Sequence, residues 1–300
     1  METTWMEFFL QLALNGLVVG SVYSLVALGF VIIYKSSGIL NFAQGEFLLL
    51  GAYVFLAIVQ QGHVPLVPAL LLTFGFSALL GLALEKVVLR PLIGEPIISV
   101  IMVTLGLSSV LRAIVQGIWG TDTRPAPSVF SLDPIQLGPL PVARGYLYSA
   151  ASVAVLLVAL TVFFKYARPG IAMRATAASQ QVSLSMGISV RRIFALSWSI
   201  AAVVSAAGGI LLATMRGGVD GSLAILGLKV LPVVIVGGLD SIGGAILGGL
   251  LVGVLENLAG GYLDPIFGGG VKEVAPFVAL VLILMVRPYG LFGKVRIERV

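Results

Sequence analysis

The chain has 300 residues, 59% hydrophobic and only 10% charged, against about 45–50% and about 25% in soluble globular domains. Its 18 basic and 13 acidic side chains cannot cover that much apolar surface, and a mean hydropathy of +1.10 agrees, so the composition describes an integral membrane protein. A net charge of +5 and the absence of cysteine exclude disorder driven by charge and a secreted disulfide scaffold.

The first apolar run extends from Phe8 to Tyr34, 27 residues without a charge. At about 1.5 Å per residue it exceeds the roughly 30 Å core of a bilayer. Glu2 and Glu7 precede it, with no basic start and no short core, so it reads as a retained helix and not as a signal peptide. After the polar break SSGILNFAQGE comes a second span, Phe47 to Val59, short enough to suggest a broken or tilted helix. A third span runs from Val64 to Leu84 and a fourth from Ile97 to Trp119. Gly120 to Arg144 holds five prolines and reads as an exposed loop. The fifth and sixth spans are Tyr146 to Phe164 and Ile193 to Ala213.

Charge sets the orientation. Between the fifth and sixth spans, Lys165 to Arg192 carries five basic residues and no acidic one, which places this loop in the cytoplasm. The Pro-rich loop (about 120–145) then lies outside. EKVVLRPLIGE (Glu85–Glu95) and the tail RPYGLFGKVRIERV lie inside, and twelve of the 18 basic residues face the cytoplasm. Parity then requires two crossings, near Ser222–Val236 and Ile242–Ala259, with VGGLDSIGG as the turn between them. The last helix is Val274–Val286. The expected architecture is all-α and polytopic: a single transmembrane domain over residues 1–300, about nine spans, N-terminus outside and C-terminus cytoplasmic. Eight spans plus a re-entrant segment is the alternative.

Few residues offer chemistry. His63 stands alone in a QGH turn, and with no cysteine there is no zinc site and no Cys or His nucleophile. No P-loop, HExxH or basic patch with interleaved aromatics occurs, so neither catalysis nor nucleic-acid binding is expected. Arg112, Lys229 and Glu256 fall close to expected helix ends, where long side chains can reach water. Small-xxx-small pairs (Gly16 and Gly20, Gly244 and Gly248, Gly249 and Gly253) read first as helix packing and second as a solute path. The break at Asn41, Gln44, Gly45 and Glu46 reads as a cytoplasmic turn or as an interrupted helix that meets a substrate. On the second reading, leucine at Gly45 lowers uptake and leaves assembly intact. The basic loop allows one short amphipathic helix around Met173–Met186, able to dock into a partner's groove.

Six segments taken together resemble the permease family of Liv-type ABC importers for branched-chain amino acids: Gly16–Tyr53 with its NFAQGEF step, EKVVLRPL, VTLGLSSVL, Arg168–Ile188, Val234–Glu256 and VRPYGLFG. The family often has an Ala-Gln-Asp type sequence where Ser179-Gln180-Gln181 stands here, and commonly a glycine at Asp240. The resemblance implies a transport subunit of the bacterial inner membrane, not an enzyme. It implies pairing with a second, homologous permease as a heterodimer, two cytoplasmic ATPases that bind ATP and Mg, and an external solute-binding protein. This chain itself would hold no cofactor. Arg168, Pro169, Gly170, Arg174, Ala175 and Gly187 would form the loop that couples to the ATPase, and Asn41, Gln44, Gly45 and Glu46 a break in the translocation path. An ion-coupled carrier or channel, and an ABC permease for urea or short amides, are the competing functions.

Overall fold

The computed structural model describes residues 5–93, 95–126, 134–137 and 140–293. The parts of the Pro-rich loop and the basic tail beyond those limits lie outside the described residues. Each apolar run is helical: α1 (Trp5–Ser37), α2 (Gln44–Gln60), α3 (Leu66–Leu84), α4 (Ile97–Trp119), α5 (Arg144–Tyr166), α8 (Val190–Arg216), α9 (Ser222–Gly237), α10 (Ile242–Tyr262) and α12 (Val271–Val286). Two short helices, α6 (Arg168–Ala178) and α7 (Gln180–Ser185), lie between α5 and α8, and α11 (Asp264–Phe267) precedes α12. Among the described residues six helices are long and apolar enough to cross a membrane, while α2 and α9 are apolar but shorter. The chain is therefore an all-α, polytopic membrane protein.

Three local expectations need correction. The Pro-rich segment is not wholly irregular: β1 (Arg124–Pro125) pairs with β4 (Gly218–Val219), and β2 (Pro134–Leu137) with β3 (Leu140–Ala143), both antiparallel. EKVVLRPLIGE is not simply a connecting loop, since α3 runs on through a π turn (Glu85–Leu89) and a 3-10 turn (Arg90–Leu92). Glu85, 1% exposed, pairs there with Arg90 at 2.8 Å. The helix expected around Met173–Met186 is two helices, because Ser179 is extended (φ −160°) and its hydroxyl caps α7 by accepting from the Val182 amide.

The chain divides into two compact units. The first comprises the described residues within Met1–Leu28, Phe130–Leu156 and Lys229–Val300. Its centre is a glycine seam between α1 and α10. A Cβ on Gly20 would lie 2.6 Å from the Gly249 carbonyl oxygen, and one on Gly16 2.7 Å from the Val254 Cα. Ser24 Oγ reaches both the Gly20 and Ile246 carbonyl oxygens at 2.8 Å, a polar link across the seam. On α10, Gly244 and Gly248 face Gly237 and Val233 in the same manner. All three small-xxx-small pairs thus serve helix packing, which in lipid depends on close backbone approach because no hydrophobic force separates protein from tails.

The second unit comprises the described residues within Gly29–Val129 and Leu157–Leu228. Helix α2 is its core: residues 44–53 are all buried, as are Phe55 and Leu56. Helix α8 lies along it, with a Cβ on Gly51 or Gly209 overlapping Ala206 or Leu48. Phe47 meets Trp198 edge-on (5.9 Å) and Tyr53 stacks on Trp119 (5.3 Å), each such pair adding about 0.5–1.5 kcal/mol beyond burial. On α3, Gly81 leaves room for the Trp198 carbonyl, and Ser199 Oγ donates to the Ala78 carbonyl at 3.1 Å.

Two alanine substitutions separate packing from helix propensity. Gly20→Ala places a methyl against backbone and is expected to lower the melting temperature in detergent, at an overpacking cost of about 1–3 kcal/mol. Gly75→Ala, on α3 where an added Cβ meets nothing, is expected to be neutral or stabilising by up to about 1 kcal/mol. Equal melting temperatures for the two variants would contradict the seam.

Candidate functional site

The start of α2 gathers the polar residues of the second unit. Helix α1 stops at Ser37, where Ser36 and Ser37 hydroxyls return to the Ile33 carbonyl at 2.9 and 2.8 Å. Gly38 follows in the left-handed region (φ +74°), a conformation that side chains with a Cβ resist. The chain then turns on Asn41. Its Oδ1 accepts from the Ala43 amide at 3.0 Å and its Nδ2 donates to Gln44 Oε1 at 3.3 Å. Gln44 Nε2 in turn donates to Ser205 Oγ at 2.5 Å. Asn41 and Gln44 are 1% and 0% exposed.

Their burial has a geometric cause. Phe47 meets Trp198 and, two turns later, Phe55 packs with Ile210, so the contacts advance together along both helices and α2 and α8 run parallel. Ser205 is 15 residues beyond Val190, about 22 Å along α8. Trp198, which meets Phe47, is 8 residues beyond Val190, so helix α2 begins partway along its neighbour, and the break is not a solvated turn at a helix end. At Gly45 the backbones of α2 and α9 touch: a Cβ would overlap the Ala224 carbonyl, and one on Gly227 would overlap Gly45 Cα. Leucine at Gly45 therefore breaks the packing of α2, contrary to the expectation of intact assembly.

Glu46 completes the cluster. Its carboxylate is 1% exposed, and Oε1 accepts from Arg112 Nη2 (2.6 Å), Arg112 Nε (3.0 Å) and Ser108 Oγ (3.1 Å). It stands in the first turn of α2, where the helix dipole favours a negative charge. Its second oxygen, Oε2, is buried without a hydrogen-bond partner among the described residues. Arg112 is correspondingly not a snorkelling helix-end residue. It lies 15 residues into the 23-residue α4 and is held inward by Glu46. Lys229 and Glu256 also lie within their helices: Lys229 pairs with Glu273 at 3.4 Å, and Glu256 is 4% exposed. Ser108 and Ser205 are the residues of this cluster that the sequence did not single out, and Arg112 was singled out but assigned to a helix end. The usable signal was Arg112 itself, since a charge inside an apolar run needs an opposite partner.

The loop residues take separate places. Pro169 starts α6, and Gly170 is buried where a Cβ would strike the Phe163 carbonyl and lie 2.8 Å from Phe164 Cα, so α6 folds back on the end of α5. Arg168 and Arg174 are exposed, Arg174 donating to the Lys165 carbonyl at 3.2 Å, and Ala175 is half-buried. Gly187 ends the segment at φ +79°. Met173 is buried while Ile171, Val182, Leu184 and Met186 are exposed, leaving an apolar surface on this short helical pair.

At the other end of α8, Asp220 organises the turn into α9. Its carboxylate accepts from the Ser222 amide (2.8 Å) and the Thr123 hydroxyl (3.2 Å). The hydrogen bond from Ser222 above all holds it below the usual carboxylate range; Thr123 and the Arg216 charge add to this, against the opposing effect of partial burial. Among the described residues no group of three or more His, Asp or Glu side chains could hold a metal ion.

Two predictions follow from these environments. Arg112→Ala leaves the buried Glu46 carboxylate uncompensated and is expected to destabilise by about 3–5 kcal/mol. Glu46→Ala is expected to cost less, because Arg112 is 35% exposed and retains some solvation. Thermal unfolding of both variants in detergent checks the order. Asp220 has a folded pKa below its unfolded one, so its stabilisation is present above about pH 4 and is lost as pH falls through the folded value. Asp220→Asn is therefore expected to flatten the acid limb of melting temperature against pH between about pH 5 and 3.

Residues 12–287 match the family described as "Branched-chain amino acid transport system / permease component". The chain is 30% identical over 312 aligned positions, covering 98% of each chain, to the high-affinity branched-chain amino acid transport system permease protein LivH of Escherichia coli (strain K12). It is 30% identical over 307 positions, 97% of this chain and 98% of the relative, to the corresponding permease protein BraD of Pseudomonas aeruginosa. Among solved structures, PsaBC from Streptococcus pneumoniae in complex with Fab aligns over 94% of this chain and 92% of its own with a TM-score of 0.52; at 15% identity it speaks for the fold alone. The chain belongs to the permease-component family of branched-chain amino acid transport systems.

Proposed function

We propose that this chain is a membrane-spanning subunit of an ATP-driven importer that carries branched-chain or other hydrophobic amino acids across the bacterial inner membrane. The observation that carries this reading is the family match, which runs from residue 12 to 287 and so includes both the buried break before α2 and the α6–α7 segment. The subunit pairs with a second, homologous permease. An external binding protein supplies the solute, and two cytoplasmic ATPases bind ATP and Mg and perform the hydrolysis. This chain contributes no cofactor of its own.

In this reading the chain acts as one permease domain. Helices α1 to α5, α8 to α10 and α12 make nine crossings, with the N-terminus outside and the C-terminus in the cytoplasm, as the distribution of Lys and Arg requires. The Pro-rich segment lies outside. Asn41, Gln44, Gly45 and Glu46 form the break in the path, where the buried polar side chains of an interrupted helix fix the elements that line it.

The α6–α7 segment is the handle gripped by an ATPase. Its exposed apolar side chains, Ile171, Val182, Leu184 and Met186, suit a groove, and Arg168 and Arg174 suit an acidic rim. Gly170 joins it to α5 by direct backbone packing, so a push on the handle is felt by a long helix. Pro169 and Ala175 complete α6, and Gly187 sets the turn towards α8.

The test is transport by the complete complex in liposomes. Uptake of L-leucine is expected to require ATP and the binding protein and to be insensitive to collapse of ion gradients. Gly187→Pro, whose ring fixes φ near −65° where +79° is needed, is expected to abolish substrate-stimulated ATP hydrolysis and uptake, with co-purification of the subunits retained. Gradient-driven uptake without ATP would replace this reading with that of a secondary carrier, and normal stimulation with Gly187→Pro would move the coupling element elsewhere.

A further inference from the structure

Both hydrogen bonds from Arg112 to Glu46 converge on one oxygen. Arg112 Nε and Nη2 both donate to Oε1, while Oε2 receives nothing. The ion pair is made through the Nε–Nη2 side of the guanidinium, and the described residues supply no acceptor for its remaining three N–H groups. The side chain is also 35% exposed. A partly exposed, unsaturated arginine within an apolar helix is costly against lipid, and it is held inward by Glu46, so it does not reach for the headgroups.

The two turns of α4 around it are polar on the same side. Ser109, Arg112 and Gln116 recur at three- and four-residue spacing, so they share one side of α4, and Ser109 and Gln116 are exposed. Leu105 is exposed on the same side one turn earlier, so the polar stretch is the two turns from Ser109 to Gln116, with the fixed cation at its middle.

We propose that Arg112 binds the α-carboxylate of the amino acid during its passage through the membrane, with Glu46 as the residue that positions it. This rests on the transport reading above and deepens it. The free edge of the guanidinium offers a fork of N–H donors matched to the two oxygens of a carboxylate. Glu46 keeps the fork aimed at the α4 face and offsets its charge when no solute is present. The side chain of the solute plays no part at this point, so the site selects the amino-acid class and leaves the choice among members to other contacts.

The absence of cysteine from the chain allows a direct test. In the assembled complex, Ser109→Cys is treated with a water-soluble thiol reagent. Labelling is expected from the aqueous phase and is expected to slow about tenfold with saturating L-leucine but not with L-leucinol, which lacks the carboxylate. Arg112→Gln alone strands a buried carboxylate, so the paired change Glu46→Gln with Arg112→Gln is used to remove the charges together. That variant is expected to assemble, to lose the protection, and to import L-leucine at least about tenfold more slowly than the unmodified complex. Failure of aqueous labelling, equal effects of leucine and leucinol, or unchanged uptake by the paired variant would each overturn the assignment. If the unmodified complex imports no leucine while leucine still protects Ser109→Cys, the transport reading fails and the carboxylate site stands.

Discussion

The second unit depends on one constraint: a helix begins inside an apolar bundle, where water cannot reach it. The first turn of any helix leaves amide donors without intrahelical partners, and within a membrane protein those groups must be met from inside. Asn41 supplies an oxygen to the Ala43 amide, Gln44 ties the turn to Ser205, and Glu46 brings a negative charge to the positive end of α2. The carboxylate then demands a cation, and among the described residues Arg112 provides it. Each step answers a deficit left by the previous one. The chain end of α1, the middle of α4 and the middle of α8 are all fixed as a result.

Such a network requires α2 to be surrounded, and this is where the small residues matter. Gly45 admits the backbone of α9, Gly51 admits Ala206 of α8, and Gly209 admits Leu48. Burial of α2 by larger side chains would hold the neighbours too far away for Gln44 to reach Ser205 at 2.5 Å. Close packing and hydrogen bonding therefore depend on one another here, and the dispersion energy of the tight contacts adds to the bonds it permits. Gly38, Gly120, Gly187 and Gly217 have a different task, since each has a positive φ and an added Cβ would meet nothing nearby. They end or turn helices.

Local punctuation made most elements legible. The fourth span was read as Ile97 to Trp119 and is α4 with those ends, because Pro96 cannot continue a helix backwards and Gly120 takes φ +83°. The depth of the NFAQGE step was not legible. Its polar letters suit a cytoplasmic turn equally well, and only the contacts with Ser205 and Arg112, 161 and 66 residues away, place it partway along α8 and α4. Arg112 was misjudged for the same reason. A span read as a line has ends to which a charge can be assigned, whereas a bundle has interiors. The two-helix form of the α6–α7 segment turns on the extended backbone of Ser179, and Ser179 has the capping side chain that makes the break reasonable in hindsight.

The two buried glutamate–arginine pairs differ in a way that bears on motion. Glu85 and Arg90 lie five residues apart at the end of α3 and make a two-point contact, 2.8 Å to one oxygen and 3.4 Å to the other. That pair travels with its own helix and is unaffected by how α3 meets its neighbours. Glu46 and Arg112 sit on α2 and α4, so their bond exists only while those helices are docked. Parting them exposes a carboxylate with no other charged partner, a change of several kcal/mol in an apolar setting, unless a new group enters as they separate. A contact of that kind resists drifting between intermediate positions and favours two states, one closed on itself and one closed on a guest. The side-on contact to one oxygen, with Oε2 unpartnered and a free guanidinium edge, leaves the closed pair incompletely satisfied, and that deficit is where the carboxylate proposed above would act.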